Sequence, residues 1–425
     1  MRELQVKIEI LGETKSVGRL LYNDSTDAVF KYDHNYLATD YAVPISISLP
    51  FQDVAFTPLQ TKMFFEGLLP EGFTRRTVAE WLRVDENDYI SILHALGNEC
   101  LGAIQIVDET DKESNLYEPL LLEEIKSLAN EGSSKSAEII VATHLSLAGA
   151  SGKVGLYWDS NQNKWYLPKG KAPSTHIVKQ SHIRLNHLVA NEQLSLMTAK
   201  MVGLNVANSF IVDAGTKHDT DVLLASERYD RTFVGSKKTV SGMLCPLRLH
   251  QEDFSQALGI SSSSKYERKG EDYLRRMFAL LRAYSANPLE DTAELWRRMI
   301  FNVLIGNCDG HIKNNALLYS SNLKSIRLAP AYDIVSTVIY KPFNREMSIY
   351  LGGENSLDRI NMDVLTGAAI DAGLGQRLAV RTIDKMKKEF PLALKKSASM
   401  LKRQGIDMAE DICEQILTLG GINNF

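Results

Sequence analysis

The stretch from Leu304 to Ser336 constrains this 425-residue chain more than any other. It reads LIGNCDGHIKNNALLYSSNLKSIRLAPAYDIVS, with Asp309-x4-Asn314 followed by a second carboxylate, Asp333, 24 positions beyond Asp309. Between them, Ala316-Leu317-Leu318-Tyr319 and Ile326-Arg327-Leu328 read as short strands around the polar turn Ser320-Ser321-Asn322. A hairpin of this kind returns Asp333 to the side of Asn314. Phosphoryl transfer from a magnesium nucleotide requires such a set: a carboxylate that orients the acceptor hydroxyl and takes its proton late, and hard oxygen ligands for Mg2+. Asp309 suits the first role, and Asn314 and Asp333 suit the second.

Alone, DGHIKN reads as readily as a surface turn, because Asp-Gly is a common turn dipeptide. The preceding residues favour the catalytic reading. Asp291-Thr292-Ala293-Glu294 has the form of a capping box, and Leu295, Met299, Ile300 and Val303 recur with helical spacing. A buried helix is therefore expected to deliver Asp309 at its C-terminal end. The order D-x4-N, hairpin, Asp is also that of protein kinases. Cys308, next to Asp309, reads as a small packing residue rather than a nucleophile.

Composition excludes several alternatives. A net charge of −4 gives no global attraction to nucleic acid, so contact with DNA needs a local basic patch or a basic partner. Cys100, Cys245, Cys308 and Cys413 are widely spread and lack C-x2-C spacing, which points to neither a disulfide framework nor a zinc site. The start MRELQVKIEI has no apolar core of a signal peptide, and no run approaches the roughly 20 apolar residues of a membrane span. A cytoplasmic protein with no membrane association is expected.

From the N-terminus, Leu4, Val6, Ile8 and Ile10 alternate with polar residues, as do Ile45, Ile47 and Leu49, so the first 50 residues predict small antiparallel β-structure. From Thr57 to about Leu101 the period becomes helical. Residues 1–105 carry no acid/base or metal cluster and read as an accessory or docking module. The acidic stretch Asp108–Glu118 marks the boundary that follows. Strands are then expected at 139–141, 145–147, 154–157 and 165–167.

Between two of these lies Ala148-Gly149-Ala150-Ser151-Gly152-Lys153, a small-residue loop able to approach phosphates closely, with Lys153 within reach of a phosphate oxygen. It is not a Walker motif, which needs glycine at position 147 and a hydroxyl at 154; a plain hairpin turn is an equal reading. Thr175–Lys179 predicts a strand ending in a lysine suited to phosphates, and the amphipathic run beginning at Asn191-Glu192 supplies a candidate carboxylate partner in Glu192. Val222–Ala225 predicts a strand running into Glu227-Arg228-Tyr229-Asp230-Arg231, whose backbone could meet adenine. His250 reads as a structural histidine, and the lysines of 385–402 as solvated helix faces.

With these residues placed, the chain resembles the HipA family of bacterial toxin serine/threonine kinases over nearly its whole length. PISISLP (44–50) and FFEGLLPEG (64–72) are similar to the family's N-terminal domain, and LSLAGASGK (145–153), THIVK (175–179), ERYDR (227–231), IGNCDGHIKN (305–314) and AYDI (331–334) to its kinase motifs, in order. The resemblance implies that Ser146 is an autophosphorylated serine, and that Lys153 and Lys179 contact phosphates. It further implies that the main chain at Glu227 and Tyr229 meets adenine, and that Asp309 is the catalytic base with Asn314 and Asp333 as Mg2+ ligands. His311 and Lys313 match motif positions without an assigned role. ATP and Mg2+ are the implied cofactors. A small helix-turn-helix, HipB-like antitoxin that contacts operator DNA is the implied partner, and an aminoacyl-tRNA synthetase is one implied substrate. One departure stands out: the loop commonly reads V-A-G-A-Q-E-K in the family and here reads L-A-G-A-S-G-K, which removes the Gln and Glu side chains.

The expected architecture is α/β (α+β): a bilobal protein-kinase-like fold with an N-terminal accessory α/β domain and a mainly helical C-terminal lobe. Residues 1–105 form the accessory domain, 106–232 the small lobe with nucleotide loop and hinge, and 233–425 the large lobe. A small-molecule or lipid kinase of related fold, and an inactive co-repressor pseudokinase, are the alternative readings. The sequence does not fix the oligomeric state, and a homodimer is one form compatible with it.

Overall fold

The computed structural model describes residues 2–108, 114–131, 133–148, 152–181, 185–215, 221–341 and 343–425. In chain order the elements begin with β1 (Arg2–Ile10), β2 (Glu13–Tyr22), β3 (Val29–Tyr32), α1 (His34–Leu37), α2 (Pro58–Phe65), α3 (Gly72–Leu82), α4 (Tyr89–Leu96), β4 (Ile104–Val107) and β5 (Leu116–Pro119). There follow α5 (Leu122–Glu131), α6 (Ser133–Thr143), β6 (Lys153–Asp159), β7 (Lys164–Lys169), β8 (His176–Gln180), α7 (Leu188–Met201), β9 (Ser209–Asp213) and β10 (Val222–Glu227). The remaining helices are α8 (Phe254–Ala257), α9 (Tyr273–Tyr284), α10 (Pro288–Ile305), α11 (Met362–Asp371), α12 (Gln376–Arg403) and α13 (Ala409–Leu419).

The chain divides into two units with interleaved sequence. Met1–Gln180, Ala225–Ser262 and Leu317–Ile326 form the first, and Ser181–Leu224, Ser263–Ala316 and Arg327–Phe425 form the second.

In the first unit an antiparallel sheet has the order β3-β2-β1-β4. Its buried face follows the period-two pattern: Leu4, Val6 and Ile8 are buried. An aromatic cluster lies nearby, with the Phe30 and Phe65 rings 5.3 Å apart and Phe64 and Phe65 5.0 Å apart. A second antiparallel run joins β5, β7, β6 and β8 in that order.

Three local expectations are corrected. Residues 44–50 form no strand, although their apolar residues alternate. The Tyr32 hydroxyl instead accepts from the Ile45 N–H (2.9 Å) and donates to the Leu49 carbonyl (2.7 Å), which satisfies a bent segment between two prolines. Residues 139–141 belong to α6 rather than a strand; a short apolar run cannot by itself distinguish a buried helix from a buried strand. Residues 145–147 make only isolated bridges, from Leu145 to Gly97 and Glu99.

The second unit is mainly helical. In α10 the residues Leu295, Met299, Ile300 and Val303 are buried, as their spacing predicts. Its cap lies four residues earlier than the sequence suggests: Asn287 is the N-cap and Pro288 opens the helix. Asp291 is instead a buried anchor. Its carboxylate accepts from the Ser285 hydroxyl (2.6 Å), Arg327 Nε (3.0 Å) and the Leu328 N–H (2.9 Å), tying the start of α10 to the chain leading into Asp333.

Candidate active site

In the second unit the site begins where α10 ends. Gly306 adopts φ +71°, and a Cβ placed there would lie 2.3 Å from Val338 Cγ2, so the helix stops on glycine and the chain turns sharply. The next residues are strapped to the segment after Asp333. The Thr337 N–H donates to the Gly306 carbonyl (3.0 Å), the Cys308 N–H donates to Thr337 Oγ1 (2.9 Å), and the Ser336 hydroxyl donates to the Ile305 carbonyl (2.6 Å). From α7, Asn191 clasps Ser336 on both sides: its Nδ2 donates to the Ser336 carbonyl (2.9 Å) and its Oδ1 accepts the Ser336 N–H (3.1 Å).

Asp309 and Asn314 share one tight loop. The Asp309 carbonyl accepts from the His311 N–H (2.7 Å) and from Asn314 Nδ2 (3.0 Å), and the Asn314 N–H returns to the His311 carbonyl (2.9 Å). The hairpin then forms with strands Ala316–Tyr319 and Ile326–Leu328. Beyond it the Tyr332 hydroxyl donates to the Lys313 carbonyl at 2.8 Å, which holds the neighbour of Asp333 to the neighbour of Asn314. Asp333 has φ +56°, a left-handed conformation that aspartate tolerates better than most residues and that is retained where the surroundings enforce it. His311 and Lys313 are buried in the same loop. Burial pushes the Cys308 thiol up to about 11, which keeps it neutral and in keeping with a packing role.

In the first unit, Lys153 and Lys179 are cross-strand partners of β6 and β8, and both are buried. Glu192 lies buried on α7, in the second unit. Of the small-residue loop, Ala148 is half-buried and Gly152 buried, while Gly149, Ala150 and Ser151 lie outside the described residues. Ser146 is fully buried: its hydroxyl donates to the Leu68 carbonyl (2.7 Å) and its N–H to the Glu99 carbonyl (2.8 Å). Glu227 is exposed and Tyr229 half-buried, with Tyr229 donating to Gln251 Oε1. Between them the Arg228 N–H donates to the Thr175 carbonyl at 2.9 Å.

Sequence reasoning missed what fixes this segment. Arg228, Arg231 and Arg248 are buried with Glu9, Glu99 and Asp230 in one ionic network. Glu99 Oε1 accepts from Arg228 (3.1 Å) and Arg231 (2.7 Å), and Oε2 accepts from Arg248 (2.6 Å). Burial alone would raise the Glu99 carboxyl, but Arg231, Arg248 and Arg228 outweigh it and bring the carboxyl down to about 2. The signal was faint, since alternation in β1 predicts an exposed Glu9 and nothing local pairs Glu99 with residues more than a hundred positions away. His250 is structural as read: its Nε2 lies 2.8 Å from the Ile45 carbonyl, and burial pushes the imidazole down to about 4.

Tyr266 was also missed. Its hydroxyl donates to Asp309 Oδ1 at 2.7 Å, and its ring meets His311 edge-on at 5.4 Å. Among the described residues no three His, Cys, Asp or Glu side chains gather into a metal site. Asn314 and Asp333 offer two oxygen donors, a number that suits Mg2+ arriving with nucleotide phosphates and waters.

Comparison with known proteins identifies the family. Residues 8–107 match the HipA N-terminal domain and residues 145–394 the HipA-like C-terminal domain. A Sinorhizobium fredii protein, named provisionally as a kinase, is 31% identical over 88% of both chains. The serine/threonine-protein kinase toxin HipA of Shewanella oneidensis is 29% identical over 91% of this chain and 88% of its own. The solved structure of Shewanella oneidensis HipA with HipB and operator DNA superposes with a TM-score of 0.80 at 26% identity, covering 99% of this chain and 97% of that one. The chain belongs to the HipA family and is a kinase with a protein-kinase-like fold.

Proposed function

We propose that this kinase transfers the γ-phosphate of ATP, as its Mg2+ complex, to a serine or threonine of a protein. The observation that carries the reading is the loop in which one carbonyl, that of Asp309, is shared by His311 and Asn314, with the Asp333 segment tied back to it through Tyr332. In this reading Asp309 orients the acceptor hydroxyl and takes its proton, and Asn314 and Asp333 would hold Mg2+. Lys153 and Lys179 contact phosphate oxygens, joined by the small-residue loop 148–153. The main chain at Glu227 and Tyr229 receives adenine, and His311 lines the site. Residues 1–105 serve as accessory domain, 106–232 as small lobe and 233–425 as large lobe.

By analogy with the Shewanella oneidensis complex, the partner is a helix-turn-helix antitoxin of HipB type that carries most of the contact with DNA, and the kinase acts as a toxin. An aminoacyl-tRNA synthetase is the first acceptor to assay. Autophosphorylation at Ser146 requires its segment to leave Leu68 and Glu99, because the hydroxyl is fully buried where it stands.

The test is peptide mass spectrometry of the full chain after incubation with ATP and Mg2+, wild type against Asp309→Gln. Phosphate on the wild type and none on the variant is expected. Near-wild-type transfer by the variant refutes the assignment of Asp309, and nucleotide binding without protein phosphorylation favours a small-molecule acceptor.

A further inference from the structure

The segment between α8 and α9 carries Tyr266, half-exposed, with its hydroxyl on the carboxylate of Asp309. Its neighbour Glu267 is held from several directions. Glu267 Oε1 accepts the Tyr273 N–H (2.9 Å), Oε2 accepts the Tyr350 N–H (2.7 Å), and the Glu267 N–H donates to the Ser348 carbonyl (2.9 Å). Ser348 in turn donates its N–H to the Cys308 carbonyl at 3.0 Å, and its hydroxyl donates to the same carbonyl. An unbroken set of bonds thus runs from the residue after Tyr266 to the residue before Asp309. Lys265 Nζ lies 5.4 Å from the Tyr266 ring centre, and the Tyr266 and His311 rings meet at 84° with their centres 5.4 Å apart, so the phenol ring has two further contacts.

A hydrogen bond this exposed adds little to stability, because water satisfies a phenol and a carboxylate almost equally well. Its effect is orientation. The proton-accepting carboxylate of a phosphoryl-transfer site must meet the acceptor hydroxyl in a narrow geometry, and a donor fixed on one of its oxygens restricts its rotation. We propose that Tyr266 is a positioning residue for transfer, holding the Asp309 carboxylate through Oδ1 so that the incoming hydroxyl meets it in one orientation. The inference rests on the assignment of Asp309 as the base.

The experiment compares full-length wild type, Tyr266→Phe, Tyr266→Ala and Asp309→Gln. The readouts are phosphate incorporation into the chain and phosphate release to water from ATP and Mg2+, with nucleotide Kd and thermal midpoint measured on each. Tyr266→Phe should lower kcat about 10-fold, the order expected for a charge-assisted hydrogen bond discounted for exposure. Its KM for ATP, nucleotide Kd and midpoint should match wild type, and Tyr266→Ala should lose no more than a few-fold beyond it. An unchanged or raised kcat in Tyr266→Phe, with Asp309→Gln inactive, overturns this inference alone; a raised kcat would mean that the hydroxyl merely competes with the acceptor. An active Asp309→Gln, or a wild type that transfers to neither protein nor water, overturns the underlying assignment as well.

Discussion

Replacing Glu99 by glutamine leaves the side-chain shape nearly intact and removes one negative charge from a buried set of three arginines and three carboxylates. Glu99 is 1% exposed, and its carboxylate is contacted by all three arginines. Removing one partner from a buried ionic network typically costs about 3–5 kcal/mol, because the remaining charge stays desolvated and unmatched. The carboxyl supports a similar figure: a fall from 4.5 to about 2 corresponds to roughly 3 kcal/mol by linkage. The sign is that of a depressed acid, so the contribution is complete above pH 4.5 and disappears as pH falls through 2. For a unit of this size a loss of that order lowers the thermal midpoint by roughly 6–20 °C. Differential scanning calorimetry of wild type and Glu99→Gln at pH 7 and again near pH 3 is the direct assay. A large difference at pH 7 that narrows at pH 3 is expected. A variant within about 1 kcal/mol of wild type at pH 7 refutes the reasoning, because the arginines would then be solvated or otherwise compensated. If the main chain at Glu227 and Tyr229 receives adenine as proposed, nucleotide affinity should weaken in the same variant, because Arg228 lies between them.

Two more substitutions probe separate parts of the fold. Gly306→Ala forces a Cβ to within 2.3 Å of Val338 at a positive φ. It should lower stability by about 1–3 kcal/mol and reduce transfer through the displaced Asp309 loop; a wild-type urea midpoint and rate would show that the turn is not fixed as described. Glu252 is buried beneath the Ser46 hydroxyl, the Ile47 N–H and the Tyr319 hydroxyl, and burial raises its carboxyl to about 7. Its folded form holds the proton more tightly, so the associated stability is complete below pH 4.5 and is lost as pH rises through 7, by about 3 kcal/mol. Glu252→Gln should flatten this loss, appearing more stable relative to wild type at pH 8 than at pH 5; an identical pH slope of the urea midpoint in both proteins would contradict it.

Much of the candidate site could be read from order along the chain. Asp309, Asn314 and Asp333 announce themselves because their spacing is local: a glycine-stopped helix, a tight loop and a hairpin are built from neighbours, and short-range steric rules decide them. The strands carrying Lys153 and Lys179 were legible as short apolar runs. Segments of marginal local preference were not. The run at 139–141 became helix and 44–50 a bent loop, because the packing of α6 and the Tyr32 hydroxyl outweighed weak intrinsic tendencies.

What the sequence determined by itself is the chemistry: the residue types, their order and the family to which they belong. What tertiary structure decided is who supports them. Glu99 on Arg228, Asn191 on Ser336, Asp291 on Arg327 and Tyr266 on Asp309 join residues 36 to 145 positions apart. A polar side chain reads as solvated until the fold buries it against its complement, and no local pattern distinguishes the arginine that will face water from the one that will be matched in the core.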